Sequence, residues 1–317
     1  MIWWRIPGDS LGSKWRVLRY ADLWYQPLVS HEFGFRAPIE GFFYRGDTSQ
    51  VGDCFILMYG AWEKPLLHAM RDLLVKSGLS PGAVALDVGA NVGTHAAFLS
   101  RYCGRVHAIE PYEPALVRLR SFIADNGLTN ITVHPVGLGN QATNLVFFEP
   151  PANENGIGGF VDSSGDRHTR ASQHTLPIVR GDQLVADAGL DRVDLIKIDV
   201  EGFEKFVLEG LRDATARFRP FVVFELNAGD SGPSLFGDAG QIRSVFPEGY
   251  DFFVFDAART RARTGEYGLV PLGAWVAPQT NWQMLGNVVA IPAERRASVA
   301  SMVAKAGAAA PVDSGRH

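Results

Sequence analysis

The chain has 317 residues, length for one large domain or two modest ones, and 46% are hydrophobic, enough to fill a core. The formal net charge is −4, so nothing marks a nucleic-acid footprint and no nucleic-acid partner is expected. Cys54 and Cys103 are the only cysteines and sit outside any C-x-x-C pattern, which argues against a disulfide framework, a structural zinc site and an iron–sulfur cluster.

Taken in chain order, the start MIWWRIPGDS is apolar but broken by Arg5, Pro7 and Asp9, so it reads as neither signal peptide nor membrane span. No apolar run reaches the roughly 18 residues that a spanning helix needs. A cytoplasmic, reducing compartment and no membrane partner are the expectation. Five of the seven tryptophans precede residue 63. FGFRAPIEGFFYRG and the CFILMYG run after Asp53 read as short strands joined by glycine turns. Residues 1–62 are therefore expected to form an aromatic-rich extension or lid. Residues 63–296 are expected to form the main domain, and the alanine-rich residues 297–317 a fraying tail.

The main domain opens with a helix. Pro65 suits its first turn, Leu66, Leu67, Met70, Leu73 and Leu74 share a face, and Gly78 closes it. VALDV then predicts a strand, residues 92 to 103 a helix closed by Gly104, and RVHAI a second strand. A further helix runs from near Pro114 to Asn126-Gly127. ITVHPV and Leu145–Phe148 read as strands before a polar, glycine-rich stretch from Asn153 to Gln173. The alternation resumes with the strand VDLIKI, the helix FEKFVLEGL and the strands FVVFEL, YDFFVF and GNVVAI. Apolar strands alternating with amphipathic helices predict an α/β fold, a mostly parallel sheet covered on both faces.

In such a sheet ligands sit beyond the carboxyl ends of the strands, beside the first strand-to-helix turn. That turn reads D-V-G-A-N-V-G, Asp87 to Gly93. A dinucleotide fingerprint needs glycine at position 91 to admit a pyrophosphate. Asparagine stands there, and Asp87 would repel a diphosphate and welcome an ammonium group. S-adenosylmethionine carries an amino group and no phosphate, so the turn favours it over a nicotinamide cofactor. Glu110, followed by Pro111, ends the second strand 21 residues after Gly89, where a ribose-binding carboxylate is expected.

DLIKIDVEGFEKFVLEGL, Asp194 to Leu211, resembles the signature of the FkbM family of S-adenosylmethionine-dependent methyltransferases. DVGANVGTHA, the IEP at residues 109 to 111 and LPIVRGDQLV match further family segments. The last departs from the commoner form at Arg180-Gly181-Asp182. Glu63, in GAWEK, matches an acidic position before the family's domain. The resemblance covers roughly residues 38 to 292. It implies a class I methyltransferase (Rossmann-like) fold with a seven-stranded sheet, and methylation of a hydroxyl on a sugar, glycan or secondary metabolite. It places Asp87, Gly89, Asn91, Gly93 and Thr94 around the methionine part, with Glu63 nearby, and Glu110 and Pro111 at the ribose. Val136 and Gly137 are implied at the adenine, and Asp199 and Glu201 facing the methyl group.

Chemically, Asp199, Glu201 and Glu225 end strands on one face, and neighbouring carboxylates raise one another's pKa, which suits one to act as a base. They would equally suit Mg²⁺, which is not expected, since no separate metal motif occurs. His95 directly follows the glycine turn; it reads either as a base or as a structural group at the cofactor's edge. Glu201 has a competing reading as the anchor of its own turn. His107 and His134 read as a buried pair. A noncatalytic scaffold and a nicotinamide-dependent oxidoreductase remain the alternatives, and homo-oligomerisation is left open.

Overall fold

A computed structural model describes residues 34–149, 173–226, 236–256, 259–273 and 286–303. The amino-terminal tryptophans before Trp62, most of the 153–173 stretch and the tail beyond residue 303 lie outside the described residues.

The chain begins with an antiparallel hairpin, β1 (Gly34–Ile39) and β2 (Phe42–Asp47), and then a helix, α1 (Val51–Tyr59). This helix replaces the strand expected of CFILMYG. Its apolar run is too short and too uniform to show a period. Ile56 and Tyr59 bury one face, and Gly60 at φ +79° closes the last turn by donating its N–H to the Ile56 carbonyl.

The alternation then unfolds with α2 (Lys64–Lys76), β3 (Ala83–Val88), α3 (Thr94–Leu99), β4 (Cys103–Ile109), α4 (Glu113–Asp125) and β5 (Ile131–His134). α3 is shorter than expected. Tyr102 turns back on Leu99, and the Asn130 amide holds the Ser100 and Cys103 carbonyls, so Cys103 and Gly104 start β4 instead. A small second sheet follows, β6 (Gly137–Gly139), β7 (Thr143–Phe148) and β8 (Gln173–Arg180), in the order β6-β8-β7. Next come α5 (Gly181–Asp187), β9 (Leu195–Ile198), α6 (Glu204–Gly210), α7 (Arg212–Phe218), β10 (Phe221–Glu225) and α8 (Ala239–Ser244). The chain closes with β11 (Tyr250–Phe255), β12 (Leu269–Pro271), β13 (Asn287–Pro292) and a 3-10 segment, Ala293–Met302.

The main sheet has the order β12-β11-β13-β10-β9-β3-β4-β5. It holds eight strands, not seven, because the short β12 pairs with the edge of β11. The strands from β10 to β5 run parallel, while β13 inserts antiparallel between β10 and β11. From β3 the chain winds outward through β4 and β5, then returns to β9 on the other side. The order reverses at β3, the place where a binding crevice opens.

Two apolar layers cover the sheet. Helices α2, α3 and α4 pack on one face, α5 to α8 on the other. Strand periodicity assigns each residue its face. Val84, Leu86 and Val88 join the second layer, Ala83 and Ala85 the first. The 3-10 segment is packed too, with Val299 and Met302 buried in the first layer. The hairpin and α1 are equally integral, since Ile39, Phe42, Tyr44 and Ile56 form a third cluster with Ala97 and Phe122. Among the described residues no helix is long and apolar enough to cross a membrane.

Candidate active site

The alternation that builds the core also builds the site. In β3, β9 and β10 the odd positions Ala83, Ala85, Leu195, Phe221 and Val223 face the first layer. The same parity carries Asp87, Lys197, Asp199 and Glu225 to that side at the carboxyl ends of three adjacent strands. Register brings them together, pairing Asp87 with Lys197 and Glu225 with Asn287.

Lys197 is the hub. It is 2% exposed, and its Nζ lies 3.4 Å from Asp87 Oδ1 and 3.3 Å from Asp199 Oδ2 while donating to the Gly89 carbonyl at 3.1 Å. Burial alone would drive the ammonium toward neutrality, but Asp199, Asp87 and Glu63 more than reverse this and raise its pKa. The sequence signal for it was a lysine inside an apolar strand, which needs buried partners. No role was expected of it.

Asp199, Glu201 and Glu225 converge as expected, each offering a carboxylate oxygen within 4.8 Å of the others. They are not equivalent. Burial first, then the charges of Asp199 and Glu201, push the Glu225 carboxyl up to about 11, so it keeps its proton and hydrogen-bonds Asp199. Burial would raise Asp199 as well, but the Lys197 ammonium and the Glu225 hydrogen bond hold it below the ordinary aspartate value. Neutral pH therefore leaves an ionised aspartate beside a protonated glutamate, the separation expected of an acid–base pair.

The turn that carries Glu201 is held by a neighbouring carboxylate. This is Glu204, its Oε1 accepting the Val200 and Gly202 N–H groups at 3.1 Å each. Glu201 itself lines the cavity from a left-handed backbone, φ +51°. Glu63 and Asn91 also line the cavity at φ +46° and +48°. Of the five described non-glycine residues with positive φ, three therefore meet at one hollow, as strained backbone does at functional sites.

The glycine turn serves the fold before any ligand. A Cβ at Gly89 would overlap the Asp199 carbonyl, and one at Gly93 would overlap the Leu119 side chain. Asn91 and Asp87 also have structural reasons that sequence reading did not supply. Asn91 tolerates the left-handed turn and donates its N–H to Glu110 Oε2 at 2.9 Å. Glu110 Oε1 accepts the Tyr112 N–H at 2.9 Å, so the carboxylate ties the turn to the end of β4. Burial pushes Glu110 up to about 7 against these two hydrogen bonds.

Thr94, His95 and Glu63 complete the turn side of the cavity. His95 Nε2 lies 3.4 Å from Glu63 Oε2, and Asn287 donates to Glu63 Oε1 at 2.8 Å. Trp62 forms part of the wall, edge-on to Phe55. Asp87, Gly93, Glu110, Pro111, Val136 and Gly137 do not line this cavity. Val136 donates its N–H to His134, and Gly137 opens β6 in the second sheet. His107 and His134 form the expected pair, with Nδ1 and Nε2 at 2.9 Å and rings stacked. The cavity wall also holds Tyr44, Asp53 and Arg118, which no sequence pattern had connected.

A parallel sheet reversing at β3, a glycine turn there and carboxylates across the crevice define the class I methyltransferase fold. The chain belongs to the FkbM methyltransferase family: the model of the Methyltransferase FkbM domain matches residues 87–254. It is 31% identical over 146 residues to hexuronic acid methyltransferase AglP of Haloferax volcanii, covering 46% of this chain and 56% of that protein. It is 30% identical over 166 residues to 31-O-demethyl-FK506 methyltransferase FkbM of Streptomyces tacrolimicus, covering 43% of this chain and 62% of that protein. It is also 31% identical over 179 residues to AMB antimetabolite synthetase AmbE of Pseudomonas aeruginosa, 46% of this chain but 8% of that protein. The chain thus spans less than two thirds of each of these relatives. The crystal structure of methyltransferase FkbM from Methylobacillus flagellatus KT aligns at 19% identity with a TM-score of 0.40, covering 66% of this chain and 43% of that one.

Proposed function

We propose that this chain transfers a methyl group from S-adenosylmethionine to a hydroxyl oxygen of a sugar, a glycan or a secondary metabolite. The observation that carries the reading is the pairing of an ionised Asp199, fixed by Lys197, with a protonated Glu225 at strand ends facing the glycine turn. The names of two relatives, a hexuronic acid methyltransferase and a 31-O-demethyl-FK506 methyltransferase, support such acceptors.

The residues suit the cofactor. Glu63 lines the turn end of the cavity and offers a carboxylate to an ammonium group, while Asp87 lies beneath, fully buried against Lys197. Asp199 reinforces that negative end, and Glu110 offers acceptors to ribose hydroxyls. When bound, S-adenosylmethionine supplies an electrophilic methyl group on a sulfonium sulfur.

The chain's own residues have two tasks, alignment and proton removal. A rigid floor of strand ends holds the acceptor in line, which by itself lowers a barrier by several kcal/mol. Asp199 accepts the hydroxyl proton, because Lys197 keeps it ionised at neutral pH. Glu225 keeps its own proton and orients Asp199.

The test is transfer of labelled methyl from S-adenosylmethionine to a panel of hydroxylated sugars and macrolide-type alcohols. Asp199→Asn is expected to lower turnover far more than cofactor affinity, and unchanged turnover would remove Asp199 from the chemistry. Gly93→Asp is a poor probe of the cofactor site, because its side chain collides with Leu119 whatever is bound.

A further inference from the structure

The cavity has a second end that the transfer chemistry does not use. Helix α4 sends Arg118 there, and its Nη2 donates to Asp53 Oδ1 and Oδ2 at 2.9 and 2.8 Å and to the Tyr44 hydroxyl at 2.7 Å. Tyr44 in turn donates its hydroxyl proton to Asp53 Oδ1 at 2.6 Å. Asp53 also accepts the Asp47 N–H at 2.7 Å, which fixes its carboxylate against the end of β2. Three elements, β2, α1 and α4, thus each contribute one member of a locked triad.

The triad is unevenly buried. Tyr44 and Asp53 are 2% and 3% exposed, whereas the Arg118 side chain keeps 29% of its surface open. Its hydrogen bonds to described residues all run through Nη2. Nε and Nη1 remain as donors on a guanidinium that Asp53 and Tyr44 hold in one orientation, and a pre-oriented arginine fork suits a carboxylate.

Charge on the cavity wall points the same way. Glu63, Asp199, Glu201 and Glu225 line one part, and Lys197 is sealed beneath two carboxylates. Arg118 is the permanent cation with open surface among the described residues of this wall. A bound molecule carrying an amine and an acid group meets an acidic end and, across one hollow, the open donors of an arginine that Asp53 pairs and holds in place.

We propose that Arg118, oriented by Asp53 and Tyr44, is a carboxylate-binding subsite of this cavity. The inference rests on the methyl-transfer reading of the same site and deepens it. The carboxylate comes either from the amino-acid end of the cofactor or from an acid group on the acceptor.

The experiment is calorimetric titration of the full chain and of Arg118→Met and Arg118→Lys with four probes. S-adenosylhomocysteine carries the amino-acid end, 5′-methylthioadenosine keeps the nucleoside without it, and glucuronate and glucose differ by one carboxylate. If the cofactor supplies the group, Arg118→Met weakens S-adenosylhomocysteine at least tenfold and leaves methylthioadenosine unchanged. If the acceptor supplies it, S-adenosylhomocysteine is unaffected, and a glucuronate affinity that glucose lacks disappears in the variant. The inference is overturned if neither carboxylate probe loses affinity, or if both nucleosides weaken together, the mark of a merely structural bridge. Should wild-type chain bind neither nucleoside, the methyl-transfer reading falls while the glucuronate arm still decides the subsite. Arg118→Lys keeps a cation for Asp53 without the planar fork. It is expected to show a smaller loss on the same probe and carries the comparison if Arg118→Met does not fold.

Discussion

Replacing Glu225 by glutamine keeps the shape of a protonated carboxyl and removes its titration. In the folded chain Glu225 holds its proton up to about pH 11, while the unfolded chain releases it near the ordinary glutamate value of 4.5. Because the folded value is the higher, the stability this group contributes is fully present below pH 4.5 and is lost as pH rises toward 11. The loss amounts to about 1.4 kcal/mol per pH unit while the folded side chain stays protonated and the unfolded one does not. Glu225→Gln has no such slope. Its stability relative to wild type therefore grows by about 2.7 kcal/mol between pH 6 and pH 8. Urea unfolding of both proteins at pH 6, 7 and 8 measures the difference, in which the other titrating groups largely cancel. A difference that stays constant over this window would show Glu225 ionised in the folded chain and would refute the protonated partner of Asp199.

Lys197→Met should be costlier than its size suggests, since it strands Asp87 and Asp199 without their ammonium; about 3–5 kcal/mol of lost stability is expected in thermal or urea unfolding. Glu204→Ala leaves the Val200 and Gly202 N–H groups without their acceptor, and a loss of about 1–3 kcal/mol is expected by the same assay, with Glu204→Gln milder. Burial, helped by His134, pushes His107 down to about 4. Its contribution is thus present above the ordinary histidine value and lost as pH falls from about 6.5 toward 4. His107→Gln should flatten the acid limb of the stability profile, and an unchanged limb would contradict the assignment.

Much of the fold was legible because two periods dominate it. Strands such as LIKI and FVVFE and the helix Lys64–Lys76 bury whole faces, and that pattern survives in any parallel sheet. The convergence of Asp199, Glu201 and Glu225 was legible too, because carboxylates that end neighbouring parallel strands share one rim. Elements that depend on tertiary partners were not. Val51–Tyr59 has no polar face to reveal a helix, and Leu269–Pro271 becomes a strand only by pairing with β11. Lys197 was visible as an oddity, yet its meaning required the register that sets it against Asp87. Tyr44, Asp53 and Arg118 come from three elements, and only packing of the hairpin and α1 on α4 unites them. The glycines were half understood. Their spacing marked the turn, but Gly89 and Gly93 are required by the Asp199 carbonyl and by Leu119.

The most direct test is a crystal of the chain grown with S-adenosylhomocysteine. Density for the nucleoside is expected beside Glu110, with the amino-acid end turned toward Glu63 and His95. A diphosphate seated on residues 89 to 93, or a crevice that stays empty at saturating ligand, would contradict it.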